Sequence, residues 1–481
     1  MSNADEILAE LRALTRDDAP THGGRVLSYV YDSGTEGLGQ LAHDAAGIVQ
    51  WVNALDPTTF PSVAHLEREL IAFARPLFGA GDGEQSDIVG SVTSGGTESC
   101  LLAVRTARDT WRARGGDGRA RLLAPVTVHA AFHKAAHLFD LALDLVPVDA
   151  ETGAVDPEAI IRRLGPDVAL VVLSAPSYPF AGLDPIGAVA PRAADAGVAV
   201  HVDACIGGFA LPWWPGVPAW DFRVPGVTSL SADLHKYGFA PKGASILLHR
   251  GRERHAAQYF ATTRWPGYPV VNATLLGSKP AGPLAAAWAI TRMLGVDGYR
   301  SLVERTRVAT DALIATAHDI DGMRVVGSPV GPLFAVAADE SVAPDRRVDP
   351  HHLADAVRGR GFVLQQQPGL AQPDGTRLPR TTHLTITPVT ADRLSELTAA
   401  LRAAADEVRG VPPVDAAPLA AGLASAASPA EALAALGVTA GGLTAAQAPL
   451  TALIETLPHE TAEGMLVTLL ASMVDPEATR A

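Results

Sequence analysis

The chain has 481 residues, 48% of them hydrophobic, and a formal net charge of −14. That length suits two or three domains with packed cores, and the acidic balance excludes a nucleic-acid binder, which needs a basic footprint. The only cysteines, Cys100 and Cys205, imply no disulfide framework, so a reducing cytoplasm is expected.

In chain order, Met1 to Arg16 reads as an acidic amphipathic helix with Ile7, Leu8, Leu11 and Leu14 on one face. It lacks the basic start and apolar core of a signal peptide. No apolar run elsewhere is long enough to cross a bilayer without charges, prolines or glycines. Residues 1–60 form an N-terminal arm: this helix, a glycine loop at His22-Gly23-Gly24, the run Arg25 to Tyr31, and a second helix reaching Leu55.

From Pro61 the pattern changes. Short apolar runs alternate with helical segments, at Asp87–Val92, Val126–His129, Leu143–Val148, Val168–Ser174, Val198–Asp203, Thr228–Ala232 and Ala244–His249. The helical segments between them include Ser99–Arg114, Ala131–Asp140, Pro157–Leu164 and Ile186–Ala196. This alternation predicts an α/β domain over 61–285, a mostly parallel seven-stranded sheet covered on both faces. A long Ala-rich helix from near Pro283 to Ala317 leads into strand-like runs at Arg324–Val326, Leu333–Ala338, Phe362–Gln366 and His383–Thr387. They predict a smaller α+β domain over 286–410. Residues 411–481 read as an Ala-rich helical extension, whose Met465-Leu466-Leu469-Leu470-Met473 spacing is a packing stripe.

Four stretches carry chemistry. Lys236 stands in a polar loop between two apolar runs, after His235 and before Tyr237. A lysine amine forms an imine with an aldehyde cofactor, and partial desolvation lowers its pKa toward that use. Ser94-Gly95-Gly96-Thr97-Glu98-Ser99 follows a strand and opens a helix. Glycines let the backbone come close, and free N–H groups at a helix start attract a phosphate. The plainer reading is a capped turn with Thr97 or Ser99 as N-cap. Asp203 ends an apolar strand, where open α/β sheets bind ligands. A carboxylate there can keep a pyridine nitrogen protonated, although a capping Asp before the Cys205-Ile206-Gly207-Gly208 turn is an equal alternative. His129 ends another strand-like run, and its flat ring can stack on a cofactor, against the commoner strand-end His bonded to backbone.

The order of these stretches resembles the pyridoxal-phosphate site of the aspartate-aminotransferase fold (fold type I). Thr93–Ser99, His129–Phe132, His201–Cys205, Gly207–Phe209, Asp221–Thr228, Ser231–Asp233, His235–Gly238, Ala240–Gly243 and Gly277-Ser278 after Trp265 carry the likeness. Over roughly residues 20 to 400 the chain is similar to the sphingosine-1-phosphate lyase-like members of the group II pyridoxal-dependent decarboxylases. That resemblance implies a carbon–carbon lyase with pyridoxal 5'-phosphate bound as an imine to Lys236. It implies that His129 stacks on the ring, Asp203 pairs with its nitrogen, and Cys205 leaves it room. Ser94, Gly95, Gly96, Thr97 and His235 would hold the phosphate, joined by Gly277 and Ser278 of a second copy in a homodimer. Tyr31, Asp56, Lys242 and Lys279 match substrate-side positions.

The substrate side also departs from the family. Asp56 stands where the lyases carry a His that binds substrate phosphate, and an Asp repels one. Lys279 replaces an Arg, Ala281 a Gly and Phe239 a Tyr, while Arg264 stands where an Asp is usual and His133 replaces a smaller polar residue. These changes shift the expectation toward decarboxylation or a substrate without phosphate. Two other readings stay open: an aminotransferase that clamps a carboxylate with Arg380, and a cofactor-binding scaffold without turnover. No metal site is expected.

Overall fold

A computed structural model describes residues 3–81, 87–425 and 446–476. After α1 (Ala4–Leu14), α2 (Leu38–Ile48) and α3 (Pro61–Leu77), the chain enters strands and helices in turn. They are β1 (Ile88–Thr93), α4 (Gly96–Ala113), β2 (Arg121–Pro125), α5 (Ala130–Phe139), β3 (Ala142–Val146), α6 (Pro157–Ile161), β4 (Val168–Ser174), α7 (Ile186–Asp195), β5 (Ala199–Asp203), β6 (Val227–Ala232) and β7 (Ser245–Arg250). These seven strands make one sheet in the order β1-β7-β6-β5-β4-β2-β3. Only β7 runs against its neighbours, pairing antiparallel with both β1 and β6. β4 is buried along its whole length, as expected for a central strand covered on both faces.

One feature of this region differs from the sequence reading. The strand expected over Val126–His129 lies one turn earlier, at Arg121–Pro125. Arg121 disguises it, because its charge is matched by Asp144 and Asp167 at 2.6 and 2.7 Å. Consequently His129 is the N-cap of α5, and its side chain accepts the Ala131 N–H. The first helix buries none of its residues, so Ile7, Leu8, Leu11 and Leu14 are exposed.

After α8 (Arg252–Ala256) and the hairpin of β8 (Phe260–Thr262) with β9 (Val270–Asn272) comes α9 (Gly282–Asp319). It is the expected long helix, interrupted at Gly295, whose φ of 55° is costly for other residues. Its first half packs in the large core through Leu284 and Ile290. Its second half packs in a separate core through Leu313 and Ala317, with Phe334, Phe362 and Leu397. That core lies under β10 (Met323–Val325), β11 (Leu333–Ala338), β12 (Gln365–Gln367) and β15 (Thr381–Thr385), in the order β10-β11-β15-β12. α10 (Pro350–Arg358), the small hairpin of β13 (Leu370–Ala371) and β14 (Arg377–Leu378), and α11 (Leu394–Val408) complete this part. Gln372 ties it to the large sheet by bonding both the N–H and the C=O of Val148, each at 2.8 Å.

Beyond α11 the helices Ala448–Thr456 and His459–Met473 follow. Of the expected stripe Leu469 is buried, while Leu470 and Met473 are exposed. No helix among the described residues is long and apolar enough to cross a membrane.

Buried titratable groups set the acid limb of stability. Burial pushes His201 and His383 down to about 4 and His249 to about 3, so all three are neutral in the fold. Burial also lifts the Asp184 carboxyl to about 7. Between pH 4 and 6.5 the unfolded chain binds three protons at these histidines that the fold does not, and the fold binds one at Asp184 that the unfolded chain does not. The difference is about two protons, so stability rises with pH by about 3 kcal/mol per unit from these four groups. Urea midpoints measured at pH 7, 6 and 5 should fall in that order.

Candidate active site

The site is built where strands end. β1 runs out at Thr93, Ser94 and Gly95 turn the chain, and α4 begins at Gly96. No side chain caps α4, so the N-cap role considered for Thr97 or Ser99 is not taken up. Ser99 instead bonds Thr93 and Ser245 through its hydroxyl, at 2.7 and 3.1 Å. Gly96 could carry no side chain: a Cβ there would meet the Asp233 carboxylate at 2.6 Å and the Cys205 sulfur at 3.0 Å. The open helix start and the partial positive charge of its amides therefore face a cavity of about 370 Å³.

That cavity brings together Ser94, Gly95, Gly96, Thr97, His129, Asp203, Cys205, His235 and Lys236. Asp203 sits at the end of β5, buried, and its Oδ1 accepts the Cys205 N–H at 3.1 Å. His129 accepts the Ala131 N–H at Nδ1, 3.2 Å away, and burial lowers its pKa. Both effects keep the ring neutral and fix its orientation.

Lys236 differs from expectation. Burial alone would depress its pKa, but the Asp233 carboxylate lies 2.9 Å from Nζ, and this attraction lifts the ammonium well above its ordinary value. Asp233 is itself held below the usual carboxylate range: burial opposes ionisation, but Lys236 and His235 outweigh it. His235 Nε2 is 3.5 Å from the same carboxylate.

Two residues passed over in the sequence complete the walls. Tyr178 lines the cavity, stacks on His383 with ring centroids 4.3 Å apart, and presents its edge to His129 at 6.5 Å. Its place in Ser177-Tyr178-Pro179 after β4 was the available signal. Glu98 accepts the Ser94 N–H at 2.6 Å and the Leu275 N–H at 2.6 Å. It thereby ties the glycine turn to the segment before Gly277.

The substrate-side residues divide into two groups. Tyr31 and Lys242 are beside the lysine loop. Lys242 Nζ lies 4.7 Å from the Tyr31 ring centroid and donates to the Tyr29 carbonyl at 3.0 Å. Burial pushes the Tyr31 phenol up to about 12 and lowers Lys242. Asp56, Gly277, Ser278 and Lys279 lie elsewhere, and none of the six lines the described cavity. Asn53 joins their two segments, donating to the Ser278 hydroxyl at 3.4 Å and accepting the Lys279 N–H at 3.3 Å. The hydroxyls and N–H groups of Thr58 and Thr59 surround the Asp56 carboxylate and hold its pKa at about 2. Phe239 is buried and stacks on Tyr299 with centroids 6.2 Å apart.

Arg380 is not a free carboxylate clamp. Its Nε donates at 2.6 Å to Glu455, a carboxylate only 3% exposed on the helix Ala448–Thr456. Glu455 also accepts the Gly369 N–H at 2.9 Å. Glu455→Ala should cost about 2 kcal/mol in urea unfolding, because it leaves the Gly369 amide without its acceptor and the Arg380 guanidinium with only the longer Asp349 contact at 3.8 Å. It should also speed proteolysis near residue 447.

A lysine, a strand-end carboxylate and an open helix start around one cavity suit an aldehyde cofactor with a ring nitrogen and a phosphate. On this sheet they define a fold type I protein whose cofactor is pyridoxal 5'-phosphate. The family model of the pyridoxal-dependent decarboxylase conserved domain matches residues 39–319. The chain belongs to the pyridoxal-dependent decarboxylase family. It is 35% identical over 340 residues to a sphingosine-1-phosphate lyase of Dictyostelium discoideum, covering 70% of this chain and 63% of that protein. A probable L-tyrosine/L-aspartate decarboxylase of Methanothrix thermoacetophila is 32% identical, with 69% of this chain and 80% of that one covered. The solved sphingosine-1-phosphate lyase of Burkholderia pseudomallei superposes with a TM-score of 0.77 at 32% identity, covering 85% of this chain and 92% of that one.

Proposed function

We propose that the protein is a pyridoxal-phosphate-dependent carbon–carbon lyase. It acts on an amine, by retro-aldol cleavage of a β-hydroxy amine or by α-decarboxylation of an amino acid. The observation that carries this reading is the meeting of Lys236, Asp203, His129 and the α4 start in one cavity. The relatives, lyases and a decarboxylase by name, support it.

Bound pyridoxal phosphate supplies an electron sink for the pair released when a bond to the amine-bearing carbon breaks. In this reading the α4 amides and His235 bind its phosphate, and Asp203 holds a proton on the ring nitrogen. The neutral His129 ring would lie against the cofactor, and Lys236 Nζ would carry the proton moved during turnover. Asp233, 2.9 Å away, holds that nitrogen in place. Tyr31 and Lys242 receive the substrate. Asp56, with Thr58 and Thr59, stays anionic beside the Ser278 segment and disfavours a phosphorylated substrate there.

The functional unit is a homodimer: Gly277 and Ser278, exposed and outside their own chain's cavity, reach that of a second copy. The enzyme is cytoplasmic and is divided as 1–60, 61–285, 286–410 and 411–481. The aminotransferase reading loses its clamp, since Arg380 is engaged by Glu455.

The test is a panel of amino acids, amino alcohols and phosphorylated amino alcohols, with mass detection of products. Carbon dioxide or an aldehyde is the expected release. A keto acid with pyridoxamine phosphate, and neither of those products, would overturn the proposal.

A further inference from the structure

A second cavity, of about 270 Å³, opens at the other end of the sheet. It is lined by the last turn of α4, the starts of β4 and β5, the end of α7, and Arg254 on α8. β4 and β5 run from it to the cofactor cavity: Val168 and Ala199 line the one, Ser174 and Asp203 the other. The two cavities are thus separated by roughly 13–20 Å of strand.

Its chemistry is one-sided. Arg114 and Arg254 both line it. They act on each other as like charges, while burial also disfavours the Arg254 cation. Among the described residues no carboxylate is paired with either, although the chain as a whole carries an excess of 14 negative charges. Arg254 Nε is buried without an acceptor, and so is the Thr110 hydroxyl in the same wall. Arg114 is exposed and Arg254 partly buried, and with no described carboxylate on either, an anion reaching both from the cavity would offset their repulsion.

The rest of the wall is apolar and held in place. The Trp111 indole N–H donates to the Pro166 carbonyl at 2.7 Å. Gly116 lies flat against the indole, where a Cβ would come within 2.2 Å of the ring. Ala107 and Ala169 flank it. This leaves room for more than a bare ion.

We propose that this cavity binds a phosphate-bearing small molecule, with the dianion between Arg114 and Arg254 and the body of the molecule against Trp111 and Pro166. A dianion matches the two positive charges, and a tetrahedral group offers acceptors to both guanidinium forks at once. The proposal concerns binding alone and is independent of the reaction assigned to the cofactor cavity.

The test uses the full chain loaded with pyridoxal phosphate, so that the cofactor's own phosphate site is filled. Calorimetric titrations with inorganic phosphate and with phenyl phosphate, at low ionic strength, should each show one saturable site per chain. Phenyl phosphate should bind more tightly. Arg114→Gln and Arg254→Gln should each weaken binding about tenfold or more, and the double variant should abolish it. Ala196→Trp keeps both arginines and fills the opening, so it should selectively weaken phenyl phosphate. Unchanged cofactor absorbance certifies that each variant is folded. Binding of inorganic phosphate but not phenyl phosphate would identify the free ion as the occupant. Absence of a saturable site in the wild type, or equal affinity in the arginine variants, would overturn the proposal.

Discussion

Lys236→Ala should lower turnover roughly 10³-fold or more, to the level of a cofactor held without its lysine. Borohydride should fix pyridoxal phosphate to the wild-type chain and leave the variant unlabelled. The variant should still retain the cofactor, because the α4 start, Asp203 and His129 are untouched and line the same cavity. Its stability should also fall. Asp233 is 1% exposed and loses the ammonium at 2.9 Å, keeping His235 at 3.5 Å and the Ser245 hydroxyl. Stranding a buried carboxylate in this way costs about 3 kcal/mol. Two measurements separate the effects: a urea midpoint reports the ion pair, and trapping reports the covalent link. Wild-type levels of turnover in a folded Lys236→Ala protein would remove the basis of the proposed function.

The residues that meet in the 370 Å³ cavity were legible because each sits at a local junction. Asp203 closes an apolar strand, Gly96 opens a helix, and Lys236 follows β6 by four residues. Such positions mark themselves through short-range pattern. The seven-stranded sheet was legible for the same reason, except where a charge opened a strand. Arg121 starts β2 because Asp144, 23 residues away, and Asp167, 46 residues away, neutralise it. Periodicity does not register partners that distant.

The unforeseen features depend on long-range contacts. Desolvation was the only force on Lys236 that sequence could suggest, whereas Asp233 reverses its sign through a contact that exists only once the loop has folded. Arg380 looked like a free cation before β15 until Glu455, 75 residues later, was brought against it. Asp56 read as a charge aimed at substrate, and its oxygens turn back onto Thr58 and Thr59. Tyr178 gave only a weak signal, because its partners His129 and His383 come from different parts of the chain.

Asp203→Asn should lower turnover by about 10²- to 10⁴-fold with little loss of cofactor affinity. The substitution changes almost nothing in shape. Asn keeps an oxygen to accept the Cys205 N–H now bonded at 3.1 Å, and Ser231 remains 3.5 Å away as a neighbour. It removes the negative charge, and with it the ability to keep a proton on the cofactor's ring nitrogen. On the proposed assignment the electron sink weakens while the α4 start, which would hold the phosphate, stays as it is. Asp203→Glu keeps the charge but is one methylene longer, so its carboxylate reaches further into the cavity that Asp203 lines. It should retain the protonated-ring absorbance and lose turnover through displacement of the ring. The pair of variants therefore separates charge from position: the spectrum should change in Asn and persist in Glu. If Asn behaves as wild type in both spectrum and rate, Asp203 is only the cap of the Cys205 turn, and the ring nitrogen must be served by another group.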